Sequence, residues 1–127
     1  MENYTQLATG STPEIHLNPL NGEMLIRGES YPESTFEFYR PVIAWIRTFL
    51  ADSSQPASLK LELVYLNTGS VKCMMDIFDL FEDAHQEGRK VRVNWRYHAK
   101  NPRSLETAEE FKEDLTFPFE IESFEHE

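Results

Sequence analysis

The stretch LKLELVYLNTGSVKCMMDIFDLFEDAH, residues 59–85, changes from the pattern of a strand to that of a helix within a few residues. Its first part is rich in leucine and valine, whereas in its second part apolar side chains recur every three or four positions. The junction, Asn67–Ser70, holds two hydroxyls and one glycine. We therefore predict a strand over 59–66, a helix over 70–86, and a short polar turn between them.

Upstream of this stretch, short apolar segments flank Asn21-Gly22, a pair that tolerates positive φ and is typical of tight hairpin turns. We expect an antiparallel pair of strands there. A helix follows over 36–50, because aromatic and aliphatic side chains again recur at helical spacing. Ser30 or Ser34 could cap this helix. Pro41 either kinks it or marks the first turn of a shorter helix.

Downstream, the segments at 90–97 and 117–124 alternate apolar and polar residues, which indicates strands with one buried and one wet face. A sheet covered by helices on both sides would have continuous apolar strands, and only Leu63–Leu66 approaches that pattern. We predict an α/β domain of two layers, with a mixed sheet of about five strands and helices mainly on one face. We expect the strand at 59–66, the helix at 70–86 and the strand at 90–97 to form a right-handed parallel crossover. A third helix is predicted over 104–115.

Length and composition predict one domain over 12–124, preceded by a flexible N-terminal tail at 1–11. The net charge of −10 and the scattered Lys and Arg residues argue against binding to nucleic acid or to anionic lipid. No apolar run reaches the roughly 20 residues of a membrane-spanning helix. The N-terminus lacks the pattern of a signal peptide, and the single Cys73 cannot form an internal disulfide. These features lead us to expect a cytoplasmic protein without membrane insertion.

The hydroxyl of Thr68 has three possible roles. Asn67, Thr68 and Ser70 are all plausible caps of the following helix. Alternatively, Thr68 could accept a phosphate, which the N–H groups and dipole of a helix start would tolerate. A small hydrolase using Thr68 or Ser70 as its nucleophile is the third possibility, although no G-x-S-x-G motif and no local base is present.

Other candidate sites have simpler explanations. Gly69-Ser70 is not followed by the residues of a phosphate-binding loop. Cys73 and the four histidines show no metal-ligand spacing, so we expect no metal and no cofactor. The carboxylates of helix 70–86 form a solvated face. Tyr31-Pro32 either fixes the entry of the chain into a helix or provides an aromatic anchor for a partner.

Four segments resemble the SiaC family of bacterial regulatory phosphoproteins. They are GESYPE (28–33), RPVIAWIRTFL (40–50), the block from Leu63 to Tyr97 that contains YLNTGSVKCMMDI, and AEEFKEDLTFPFEI (108–121). The resemblance extends over about 13–122. The fold of this family is similar to that of STAS domains, so the resemblance implies a STAS-like domain.

The resemblance implies a non-enzymatic phospho-switch, with the acceptor threonine of the family falling on Thr68. The resemblance further implies that a protein kinase adds the phosphate and that a PP2C-like phosphatase removes it. It also implies that the unphosphorylated form binds and activates a diguanylate cyclase, which would raise cyclic di-GMP and promote biofilm growth. Gly69 stands where the family commonly has another small residue, such as Ser.

Together, the turn and the resemblance predict a partner-binding surface made of Asn67, Thr68, Gly69, Ser70, Lys72, Tyr31 and Pro32. Two alternatives stay open beside the phospho-switch. One is the small hydrolase described above. The other is a constitutive acidic scaffold, in which Thr68 only caps its helix.

Overall fold

The computed structural model describes residues 1–125, which form a six-stranded sheet and three helices. The predicted two-layer α/β class is confirmed, with one strand more than the predicted five. The elements in chain order are β1 (Tyr4–Gln6), β2 (Glu14–Leu17), β3 (Glu23–Ser30), α1 (Thr35–Asp52), β4 (Ala57–Leu66), α2 (Thr68–Gln86), β5 (Val91–His98), α3 (Pro102–Lys112) and β6 (Phe119–Phe124).

The two layers follow from the order of the strands. The strands lie side by side in chain order, β1 to β3 are antiparallel, and β3 to β6 are parallel with one helix in each connection. Parallel crossovers are right-handed in nearly all proteins, and here each one moves in the same direction across the sheet. All three helices therefore cover one face of the sheet, and the other face is left to solvent.

The alternation predicted for the strands is found in β5, where Val91, Val93 and Trp95 are buried and Arg92 is exposed. The run Leu63–Leu66 is continuously apolar, as in a strand that is covered on both faces, yet the side chain of Val64 is 56% exposed. The β4–β5 ladder has its last pair at Leu61 and Trp95, so the end of β4 is not paired with β5.

The predicted tail is partly wrong, because Tyr4–Gln6 forms β1 and pairs with β2. The indole of Trp45 on α1 donates a hydrogen bond to the carbonyl of Glu2, with an N–O distance of 2.8 Å. Tyr4 is half-buried against the core, and this burial raises its pKa. A three-residue strand is too short to give an alternation pattern, so tertiary contacts alone reveal it.

Helix α1 continues through Pro41, so the predicted short helix that would begin there is not found. Pro41 is exposed, which allows water to bond the carbonyl that the missing N–H leaves without a helical partner. Ser34 occupies the N-cap position but makes no side-chain cap bond. Ser30 is not a cap, because it ends β3 and is buried.

The predicted hairpin joins β2 and β3, but its loop is longer than a two-residue turn. The N–H of Asn18 bonds the carbonyl of Glu23, and the N–H of Gly22 bonds the carbonyl of Asn18, both at 3.0 Å. Within residues 1–125, positive φ occurs only at glycines, so Asn21 does not adopt it, whereas Gly22 has φ of 72°. A Cβ on Gly22 would lie 1.9 Å from the carbonyl oxygen of Pro56.

Replacing Gly22 with alanine should therefore destabilise the fold by more than about 1 kcal/mol, because it combines backbone strain with a steric clash. Urea unfolding measures this free energy. Gly10→Ala is the control, since no atom lies within 4 Å of the position that a Cβ would occupy there and its φ is not positive. We expect Gly10→Ala to change the free energy of unfolding by less than about 0.5 kcal/mol. Equal effects of the two substitutions would contradict the structural role of Gly22.

A carboxylate on α2 holds the loop between α3 and β6. Glu82 accepts hydrogen bonds from the backbone N–H of Thr116 at 2.7 Å, from the hydroxyl of Thr116, and from the amide of Gln86 at 2.7 Å. These donors, led by the backbone N–H, lower the pKa of Glu82 to about 2. The ionised form is therefore the one that the folded chain stabilises.

The sign of the pH dependence follows from this lowered pKa. The contribution of Glu82 to stability is present above its unfolded pKa of about 4.5 and is lost as the pH falls towards 2. The wild type should lose unfolding free energy over this pH range, and Glu82→Gln should lose less. The difference should be small, because solvent screens this carboxylate. Urea unfolding at neutral pH and at about pH 3 tests this. The exposed Glu109→Gln is the control and should leave the pH dependence as in the wild type.

Candidate functional site

The candidate site lies at the carboxyl ends of β3 and β4. The last registered pair of these strands is Ser30 and Leu66, and the N–H of Asn67 bonds the carbonyl of Ser30 at 3.0 Å. The two chain segments therefore leave the sheet together, one towards α1 and the other into α2. Sites in open α/β sheets gather at this edge.

Asn67 is the cap of α2. Its side-chain oxygen accepts a hydrogen bond from the N–H of Ser70 at 2.8 Å, and its carbonyl accepts one from the N–H of Val71 at 3.0 Å. Thr68 is the first helical residue and is exposed. Within residues 1–125 its hydroxyl has no hydrogen-bond partner. The structure thus decides between the three possible caps, and it leaves the hydroxyl of Thr68 accessible.

The hydroxyl of Ser70 has a structural role instead. It donates to the carbonyl of Ser30 at 2.9 Å and contacts the hydroxyl of Ser30 at 2.7 Å. The hydroxyl of Ser30 also bonds that of Tyr39 on α1, at 2.6 Å. All three side chains are fully buried, and burial raises the pKa of Tyr39 to about 12. Ser70 is therefore not a surface contact, contrary to the prediction, and no substrate can reach it as a nucleophile.

Gly69 lies where the starts of α1 and α2 meet. A Cβ at this position would be 2.5 Å from the hydroxyl oxygen of Thr35 and 2.9 Å from its Cβ. The glycine thus allows a close approach of the two helices inside the chain. We predicted Gly69 as part of the partner-binding surface. In the structure its close neighbour is Thr35 of the same chain.

Tyr31 and Pro32 have different environments. Tyr31 is 44% exposed, and its ring lies edge-on to the ring of Tyr65 with 5.8 Å between centroids. Pro32 is buried, and its carbonyl lies 3.5 Å from the side-chain nitrogen of Asn67. Pro32 therefore fixes the path of the chain and is not part of the accessible surface, whereas Tyr31 can contact a partner.

Lys72 is exposed one turn beyond Thr68 and forms an ion pair with Asp76, with an N–O distance of 3.0 Å. This hydrogen bond and the charge of Asp76 raise the pKa of Lys72. Among residues 1–125 no cluster of side chains could hold a metal ion, and His126 lies outside the described residues. The described chain also contains no helix with the length and apolarity to cross a bilayer.

Sequence reasoning missed two residues of this surface. Val64 and Tyr65 are 56% and 50% exposed, although they belong to an apolar run of the sequence. The ring of Tyr65 contacts that of Tyr31, so these two rings form an apolar surface at the end of β4. For Val64, the signal that could have identified it is that its position alternates in phase with the polar residues Lys60 and Glu62. Tyr65 carries no such signal, because it falls in phase with the buried Leu61 and Leu63.

A family model for SiaC family regulatory phosphoproteins matches residues 7–124. The chain belongs to the SiaC family. Its structure is similar to that of SiaC of Pseudomonas aeruginosa, with a TM-score of 0.92 and 46% identity over 98% of this chain and 100% of the other. An uncharacterized protein of P. aeruginosa strain UCBPP-PA14 is 50% identical over 91% of each chain.

A second solved structure contains the diguanylate cyclase SiaD of P. aeruginosa in complex with its activator SiaC. The matched chain is 47% identical to the present one over 95% of this chain and 99% of the other, with a TM-score of 0.92. The recognition of the family from the sequence is thereby confirmed. The relative SiaC is an activator of a cyclase.

The cap assignment can be tested by comparing Asn67→Ala with Thr68→Ala. We expect Asn67→Ala to reduce the free energy of unfolding by about 1 kcal/mol, because it removes the acceptor for the N–H of Ser70. Thr68→Ala should change it by less than about 0.5 kcal/mol, since its hydroxyl bonds nothing in the described chain. Urea unfolding of both variants gives the two values. The reverse order would mean that Thr68 is the cap.

Proposed function

We propose that this chain is a non-enzymatic phospho-switch protein whose unphosphorylated form binds and activates a diguanylate cyclase. Membership of the SiaC family and the 47% identity to an activator in complex with its cyclase support this proposal. The observation that carries it is the exposed hydroxyl of Thr68, which has no bonding partner in residues 1–125 at the start of a capped helix.

We propose Thr68 as the phosphate acceptor, with a kinase that adds the phosphate and a PP2C-like phosphatase that removes it. The side chain of Asn67 already accepts a hydrogen bond from the N–H of Ser70, and the carbonyl of Asn67 accepts one from the N–H of Val71. The N–H groups of Thr68 and Gly69 lie in the first turn of α2, where a helix has no carbonyl of its own to accept from them, at the positive end of the helix dipole. A phosphate of about −1.5 to −2 charges is favourable there, so the modified chain keeps its fold.

The same phosphate would oppose docking of the cyclase. The proposed contact surface combines Thr68 and Lys72 with the exposed rings of Tyr31 and Tyr65. A partner that covers these rings removes water from their neighbourhood. Burying an unpaired charge in such a contact costs several kcal/mol, which would reduce binding by orders of magnitude.

The alternatives have less support. A hydrolase that uses Thr68 needs a base, and His98 and Asp76 are the candidates from outside the turn. Within residues 1–125 the hydroxyl of Thr68 bonds neither of them, and Asp76 pairs with Lys72. A scaffold in which Thr68 is only a cap conflicts with the cap formed by Asn67. The cytoplasmic location also belongs to the proposal, and it is compatible with Cys73, which is a free and buried thiol.

The decisive experiment compares variants of Thr68 in binding to the cognate diguanylate cyclase and in the rate of cyclic di-GMP synthesis. Thr68→Ala should bind and activate like the wild type. Thr68→Glu should lose at least about tenfold in affinity, because it places a charge in the contact. The matched control is Thr48→Glu, which introduces the same charge at an exposed threonine on α1. Equal binding by all three variants would overturn the switch.

The modification itself is tested by intact-mass analysis of protein purified from its own host. We expect a phosphate-sized mass increase that maps to Thr68, is absent in Thr68→Ala and disappears after phosphatase treatment. A phosphate that maps to another residue would contradict the assignment of the acceptor.

A further inference from the structure

The parallel sheet opens between β4 and β5 at its carboxyl edge. The β4–β5 ladder ends at Leu61 and Trp95. Beyond that point β4 continues to Leu66, where it pairs with Ser30 of β3 after a shift of register, and β5 continues to His98 in register with β6. A side chain bridges the opening, because the amide of Asn101 donates to the carbonyl of Val64 at 3.0 Å.

The opening forms a groove of about 710 Å³ at the carboxyl edge of the sheet, lined by residues of β3 to β6 and by Arg103 of α3. Its floor contains Glu62, which is 6% exposed and pairs with Arg27 at 3.7 Å and with Arg96. The guanidinium of Arg96 lies 4.9 Å above the centre of the ring of Phe124. These pairs compensate the charge of the buried carboxylate.

The rim of the groove is positively charged, although the chain as a whole carries −10. Lys100 and Arg103 line it together with His98, and both are exposed. Among the described residues neither Lys100 nor Arg103 forms an ion pair, in contrast to the paired arginines of the floor. Two cationic side chains thus face solvent beside the groove.

The wall of the groove is apolar. Val64 and Tyr65 line it, and they are two of the most exposed large apolar side chains in the described strands. The alternation of β4 would place a polar residue at Val64, as it does at Lys60 and Glu62. Exposed apolar side chains beside a polar rim mark interaction sites.

We propose that this groove binds an acidic segment of a partner protein, in which aromatic or aliphatic residues alternate with Asp and Glu. The apolar residues of the segment pack against Val64 and Tyr65, and its carboxylates pair with Lys100 and Arg103. The charge of the rim is complementary to such a segment and repels a basic one. The inference does not depend on the proposed function, because it requires neither Thr68 nor the cyclase.

A fluorescein-labelled short peptide of alternating Phe or Leu with Asp and Glu is the probe, and fluorescence anisotropy measures its affinity for the wild-type protein. Two control peptides replace the acidic residues with Lys or the apolar residues with Ser. We expect binding of the acidic apolar peptide alone, with an affinity that decreases as salt is added. In a titration followed by NMR, the amide signals of Val64, Tyr65 and His98 should shift.

Two variants test the groove itself. Lys100→Glu combined with Arg103→Glu should weaken binding at least about tenfold, and Val64→Ser should weaken it without a change of charge. The matched control, Arg47→Glu with Lys112→Glu, reverses two exposed charges outside the groove and should bind like the wild type. Unfolding midpoints equal to that of the wild type confirm that each variant is folded.

The proposal is overturned if the acidic peptide fails to bind, if the Lys peptide binds equally, or if the control variant loses as much affinity as the groove variants. Sedimentation of the protein alone tests whether a second copy of the chain occupies the groove. Wild-type dimers that the groove variants dissociate would show a self-interface and would also overturn it.

Discussion

The carbonyl of Ser30 holds the carboxyl edge of the sheet together, because it accepts hydrogen bonds from the N–H of Asn67 and the hydroxyl of Ser70. These bonds join the end of β3 to the start of α2, and the hydroxyl of Tyr39 ties α1 to the same point. Every buried hydroxyl of this network has a hydrogen-bond partner. The network therefore avoids the free-energy cost of burying an unpaired polar group. The starts of both long helices are thereby fixed relative to the sheet.

This junction separates the two hydroxyls of the Asn67–Ser70 turn. The side chain of Ser70 is buried in the network, and Asn67 caps the helix. Thr68 therefore has neither of these structural roles. A chemical change at Thr68 can therefore alter the surface without breaking an internal bond. That independence is what a reversible switch requires, since the fold has to be the same before and after modification.

The arrangement of the helices produces a second surface. Because all three helices cover one face, the opposite face of the sheet is exposed, and its strands carry ion pairs that join β2 to β6 through Glu14, Arg27, Glu62, Arg96 and Glu122. Where β4 and β5 separate, the sheet carries the groove with an apolar wall and a positively charged rim. The Thr68 surface and the groove both lie at the carboxyl edge, where exposed Tyr65 belongs to each.

The sequence by itself determined the class of the fold, the layers and the position of α2, because an exposed sheet face must alternate and a helix must repeat its apolar stripe. It also placed the candidate turn at the end of β4. Only the tertiary structure decided which residue of that turn is the cap, which is buried and which is free, since these depend on where the carbonyl of Ser30 lies. The strand β1 and the burial of Pro32 likewise depend on neighbours distant in the chain, so local sequence patterns do not predict them.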